Sequence, residues 1–99
     1  MPNESRPLEM TCLVRHSAKQ VHCQIDDAYV LMDVESGEYF ELNRVGGRIW
    51  REASSEIAIG DLIDRLYRAF EVERATCESQ VLSWIEKMRD LGLVEVTYE

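Results

Sequence analysis

The order of apolar and polar positions divides the chain into a strand-rich first half and a helical second half. After Val14 the segment Val21-His22-Cys23-Gln24-Ile25 alternates apolar and polar residues, which is the pattern of a half-buried strand. Asp26-Asp27 signals a turn, and Ala28-Tyr29-Val30-Leu31-Met32 follows as an unbroken apolar run of strand length. Asp33-Val34-Glu35-Ser36-Gly37 reads as a hairpin loop, because Gly37 takes positive φ without a Cβ clash. Glu38 to Leu42 is then the return strand, with Phe40 and Leu42 on one face and Tyr39 and Glu41 on the other.

At Asn43 the period changes. Asn is a strong N-cap, since its side-chain oxygen accepts an orphaned backbone N–H. Val45, Ile49 and Ala53 follow at helical spacing with Trp50 beside them. Gly46 and Gly47 weaken this helix intrinsically, and their small size suits a close approach by a strand. Ser54-Ser55-Glu56 connects to a second helix, whose apolar stripe is Ile59, Leu62, Ile63, Leu66 and Phe70; Asp61, Asp64, Arg65 and Arg68 take its wet face. A third helix is expected from about Thr76 to Leu91. Gly92 fits a left-handed position after its end, with Leu93 folding back on Met88. Val94 and Val96 suggest a short final strand.

The third helix carries more apolar surface than one core face needs. At about 100° per residue, Cys77, Val81, Trp84, Met88 and Leu91 form the expected core stripe. Leu82 and Ile85 lie off it, on a flank shared with Glu78 and Arg89. One reading is a wide core stripe with a stray exposed Leu. The other is that this flank lines a groove against the neighbouring strand and takes a partner's apolar side chains. If Glu38 to Leu42 is an edge strand, an extended peptide can add to it, with main-chain hydrogen bonds for affinity and side-chain pockets for specificity. The candidate peptide-binding residues are therefore Glu38, Tyr39, Phe40, Glu41 and Leu42 on the strand, and Glu78, Leu82, Ile85 and Arg89 on the helix. Glu38 and Glu41 either guard the edge against unwanted pairing or meet basic groups on a partner.

Composition narrows the function classes. The length of 99 residues suits one domain with one modest core. That domain is expected over residues 11–97, after a flexible N-terminal tail at 1–10 containing Pro2, Asn3, Ser5 and Pro7. The net charge of -8, with scattered cations, argues against nucleic acid and against an anionic membrane surface. No signal peptide and no apolar run of membrane-spanning length is visible, so a cytoplasmic protein with reduced thiols is expected. Cys12, His16, His22 and Cys23 lack the close paired spacing of a zinc site, and adjacent His22 and Cys23 on a strand point to opposite faces; the plainer reading is one buried thiol and two surface imidazoles. Cys77 near a helix start could have its pKa lowered by the helix dipole, although buried packing is the weightier reading. No phosphate-binding loop or convergent carboxylate pair is legible. No catalytic residue, metal or cofactor is expected, and the chain does not read as an enzyme.

The string Tyr29-Val30-Leu31-Met32-Asp33-Val34-Glu35-Ser36-Gly37-Glu38-Tyr39-Phe40-Glu41-Leu42-Asn43-Arg44-Val45-Gly46-Gly47-Arg48-Ile49-Trp50 resembles the PqqD family, small proteins also called RiPP recognition elements. The shared features are a strand, an acidic-Ser-Gly turn, an aromatic pair, Leu-Asn, a small residue and Ile-Trp. The Ile59, Leu62, Leu66 stripe, then Val81, Trp84, Ile85, Met88 and Gly92-Leu93 extend the likeness to about residues 17–95. Gln80, where the family often has Asp, and Gly60 at the start of the second helix depart from it. The resemblance implies an α+β, winged-helix-like fold with a three-stranded antiparallel sheet followed by three helices. It implies binding of a precursor peptide leader as a strand beside the third strand, packed against the third helix. The bound peptide would be presented to a modifying enzyme such as a radical SAM enzyme, a leader peptidase or a cyclase, in quinone-cofactor, lasso-peptide or radical-SAM pathways. By the resemblance, Glu38 to Leu42 and Leu82, Ile85 and Arg89 contact the leader. Two alternatives stay open: a structural adaptor without peptide recognition, and a winged-helix nucleic-acid binder. An exposed edge strand also makes a homodimer possible.

Overall fold

A computed structural model describes residues 7–18, 21–25 and 29–98, and of residues 22–25 the backbone only. The elements are β1 (Leu13–His16), β2 (Val21–Ile25), β3 (Tyr29–Asp33), β4 (Tyr39–Leu42), α1 (Arg44–Glu52), β5 (Ile57–Ala58), α2 (Ile59–Ala69), α3 (Arg74–Asp90) and β6 (Val94–Thr97). The expected sheet is present as β2-β3-β4, antiparallel throughout. A second antiparallel sheet, β5-β1-β6, brings together segments from before, between and after the helices. The single-sheet expectation missed it because a two-residue strand such as β5 has no readable period. The expected Asp26-Asp27 turn, the side chains of His22 and Cys23, and the first six residues lie outside the described residues.

Local chemistry explains where the elements start and stop. Gly37 closes the β3–β4 hairpin at φ +77°, a value that costs glycine nothing. Asn43 Oδ1 accepts the Gly46 N–H at 2.9 Å, so α1 begins directly after β4. At the end of α3, Gly92 adopts φ +77°. There the Leu93 N–H donates to the Met88 carbonyl at 2.8 Å and the Gly92 N–H to the Arg89 carbonyl at 3.0 Å, which is the Schellman pattern.

The start of α2 is capped differently. Ala58 offers no side-chain acceptor. Instead the Ile59 and Gly60 N–H groups donate to the Cys12 and Met10 carbonyls at 2.8 and 2.9 Å. The segment before β1 thus substitutes for a capping side chain, and Leu8 packs against the core. Of the segment expected as a tail, Met10 accepts one of those bonds. A Cβ at Gly60 would meet the Met10 carbonyl at 3.4 Å, an ordinary contact, so space alone does not require glycine there.

The core lies where the three helices meet both sheets, with Val14, Leu31, Ile49, Leu62, Ile63, Leu66, Val81, Ile85, Met88 and Leu93 almost fully excluded from water. Helix α1 sits between β3 and α3 and packs closely on both. A Cβ on Gly47 would overlap the Tyr29 ring, and one on Gly46 would come within 3.1 Å of the Trp84 ring. Glu52 ties α1 to α2 by accepting from Arg65 Nη1 at 2.6 Å and Arg48 Nε at 2.9 Å. The Arg65 hydrogen bond, more than the Arg48 contacts, holds its carboxyl below the usual range against the opposing effect of burial.

Two outcomes test this packing. Gly47→Ala should lower stability by about 1–3 kcal/mol in urea unfolding, although helix propensity alone predicts a gain of roughly 1 kcal/mol; a stabilised variant would disprove the close approach. Glu52→Gln should cost about 0.5–1 kcal/mol near neutral pH, a modest figure because Arg65 is largely solvated. A depressed folded-state pKa stabilises above the unfolded value and loses its effect as pH falls through the folded value. The deficit of the variant should therefore shrink on acidification, and a pH-independent deficit would contradict the ion-pair origin.

Candidate functional site

Strand β4 pairs with β3 on one side, and among the described residues no strand pairs with its other edge. The Asp33 N–H donates to the Glu38 carbonyl at 2.8 Å, which sets the phase of the ladder. Antiparallel partners alternate between bonded and non-bonded pairs. Leu31 with Phe40 and Tyr29 with Leu42 are therefore the next bonded pairs in this register. The N–H and C=O groups of Tyr39 and Glu41 consequently point away from β3, towards the open edge.

The side chains of β4 divide in the same way. Leu42 is buried and Phe40 half-buried, both against the core. Tyr39 is 70% exposed and Glu41 is exposed. Alongside the edge, β4 and the C-terminal half of α3 enclose a groove of about 210 Å³. Tyr39, Phe40, Glu41 and Leu42 line it from the strand, and Trp84, Lys87, Met88 and Leu91 from the helix. Lys87 Nζ lies 5.1 Å from the centre of the Trp84 ring, within cation–π range. The groove thus has an aromatic and aliphatic floor, one cation on the helix side and one carboxylate on the strand side.

Tyr39, Phe40, Glu41 and Leu42 come together as the sequence suggested. Glu38 sits one step back, its N–H held by Ser36 Oγ at 3.2 Å. The helical residues fall elsewhere. Ile85 is fully buried, and Leu82 is half-buried against the core. Glu78 accepts from Arg74 Nε at 3.3 Å, and Arg89 Nη1 donates to Tyr98 Oη at 3.0 Å. None of these four lines the groove. The buried stripe is Cys77, Val81, Ile85 and Met88, rotated by roughly 35° from the one expected when each residue turns by about 100°. That rotation moves Ile85 into the core and brings Trp84 and Leu91, expected in the core, to the groove. A cation at Lys87 between Trp84 and Leu91 was the available signal, since a core stripe does not place Lys on the same face.

The remaining reactive side chains have structural partners. Burial pushes the Cys77 thiol above its ordinary pKa, outweighing Arg74 nearby, and Cys77 Sγ donates to the Ile63 carbonyl at 3.7 Å. The lowered pKa considered for a helix start is thus reversed. Cys12 is buried, and its sulfur accepts the Glu9 N–H at 3.3 Å. His16 is half-buried rather than a surface imidazole: its ring stacks on Trp50 at 3.6 Å, and Nε2 donates to the Trp50 carbonyl at 2.6 Å. Among the described residues no three His, Cys, Asp or Glu side chains converge on a metal-sized site. Nor is any helix among them long and apolar enough to cross a membrane.

Comparison with known proteins agrees with this architecture. The sequence matches the family described as coenzyme PQQ synthesis protein D (PqqD) over residues 28–94. One similar solved structure is TbiB1 in complex with the TbiA(beta) leader peptide, at 28% identity and a TM-score of 0.70, covering 82% of this chain and 94% of that one. Another is lasso peptide synthetase B1 complexed with the leader peptide, at 24% identity and a TM-score of 0.70, covering 83% and 96% respectively; this second likeness concerns the fold alone. No curated protein matches the chain. With the family match spanning most of its length, from the central hairpin to the last strand, the chain belongs to the PqqD family.

Proposed function

We propose that this chain is a non-catalytic peptide-binding module that takes the leader segment of a ribosomally made precursor as an added strand on β4 and presents it to a separate modifying enzyme. The observation that carries this reading is the outward-facing backbone of Tyr39 and Glu41 beside a groove floored by Trp84 and Leu91. A strand laid there gains main-chain hydrogen bonds, and every second side chain turns into the groove. The likeness to TbiB1, whose structure holds a leader peptide, supports the same reading.

In this account Phe40, Leu42 and Met88 shape the floor, Trp84 and Leu91 grip apolar side chains, and Lys87 favours an acidic group or a backbone carbonyl on the peptide. Glu38 and Glu41 discourage pairing with other strand edges. Ile85 acts only by packing the core behind the groove. Leu82, Glu78 and Arg89 lie on the opposite flank of α3, which leaves that flank to the partner enzyme, whether a radical SAM enzyme, a leader peptidase or a cyclase. Without peptide, the β4 edge is also open to a second copy of the chain. Such a module acts where precursor peptides are made, in the cytoplasm.

The strand register supplies a sharp test. The Glu41 N–H faces the open edge, so Glu41→Pro should leave the β3–β4 ladder intact while weakening the leader of the precursor encoded beside this gene by about tenfold or more in calorimetry. Phe40→Pro, whose N–H serves the ladder, should instead unfold the hairpin. Lys87→Glu should weaken binding while lowering stability by no more than about 1 kcal/mol, since it reverses a favourable charge in the last turn of α3. Wild-type protein that gives neither heat nor a Trp84 fluorescence change with that leader would refute the proposal.

A further inference from the structure

A second cavity lies one helical turn nearer the start of α3 than the groove. It measures about 210 Å³ and sits among the three helices, lined chiefly by Arg44, Val45, Phe70, Cys77, Gln80 and Val81. Its walls are apolar. Its polar contributors are Arg44, at the first position of α1, and the uncharged Gln80. The Arg44 guanidinium lies 5.3 Å from the Phe70 ring centre, and Arg44 makes no ion pair among the described residues. The first turn of α1 contains no acidic residue, so the positive end of the helix dipole adds to the Arg44 charge. In a chain of net charge -8, this is an apolar hole with a positive rim. Glu71 and Glu73 line a neighbouring shallow hollow with Tyr67 and Phe70, so the cation at Arg44 is the charge the cavity itself offers an incoming carboxylate.

The cavity and the groove are lined by neighbouring stretches of the same two chain segments. Arg44 follows Leu42 by two residues, so a peptide running along β4 and past its C-terminal end arrives at α1's first turn. Gln80 precedes Trp84 by one turn on the same flank of α3. An apolar cavity of about 150 Å³ accommodates a benzene-sized group, so this one has room for a single Leu- or Phe-sized side chain. We infer that the cavity among α1, α2 and α3 is a specificity subsite for the same peptide, taking one bulky apolar side chain with a neighbouring carboxylate on Arg44. This rests on the peptide-binding reading above and extends it past the added strand.

The test uses calorimetry with the full chain and a synthetic peptide carrying the leader of the precursor encoded beside this gene. Arg44→Glu reverses the rim charge at a position where an acid suits the helix dipole, so the fold should hold. Gln80→Glu keeps the side-chain shape and places a carboxylate in the cavity. Each should weaken binding by about tenfold, the scale of one charge-assisted contact. Replacing the leader's acidic residues one at a time by their amides should identify one whose loss weakens wild-type binding but not binding by Arg44→Glu. If both variants bind within twofold of wild type while Glu41→Pro loses binding, the subsite is overturned and the groove stands. If Glu41→Pro also binds like wild type, the strand-addition reading fails and the subsite falls with it.

Discussion

The close approach of α1 to its neighbours is the constraint on which the rest depends. The Tyr29 ring occupies the space where Gly47 would carry a Cβ, and the Trp84 ring lies against Gly46. Two adjacent glycines cost helix propensity, and here that cost lets one helix touch a sheet on one side and another helix on the other. Because the Asn43 cap leaves no slack between β4 and α1, the position of α1 also sets the position of β4. The separation of β4 from Trp84, and with it the width of the groove, follows from this packing.

An open strand edge is a hazard that folded proteins normally limit. Here the open strand is only four residues long and carries Glu41, and α3 stands beside it. The hydrogen-bonding phase leaves just Tyr39 and Glu41 to offer backbone groups. A short, guarded edge suits a partner that brings its own side chains for the groove more than it suits indiscriminate pairing. The electrostatics point the same way: against an acidic chain, Lys87 and Arg44 stand beside the two apolar cavities.

The second sheet has a different task. By pairing β1 with both β5 and β6 it joins the first, middle and last parts of the described chain. The strap at Met10 and Cys12 completes the start of α2 with backbone carbonyls. The outer edge of β4 is thereby left without a strand partner among the described residues.

Much of this was readable in the sequence, and the readable parts share a cause. The Gly37 hairpin, the Asn43 cap and the Gly92-Leu93 stop depend on hydrogen bonds and backbone angles within a few residues, so residue type alone determines them. The strand face carrying Phe40 and Leu42 follows from a period of two, which leaves one choice of side. The helical half of the site did not follow in this way. Apolar residues on α3 span a wide arc from Leu91 and Trp84 through Val81 to Ile85 and Leu82, so periodicity identifies a helix without fixing which part of the arc faces inward. That choice, like the β5-β1-β6 sheet and the strap over α2, was made by contacts between segments far apart in sequence. The Trp84 ring lies against Gly46 of α1 and borders the groove, while Ile85 is fully buried, an arrangement set by packing between helices rather than by the period of α3.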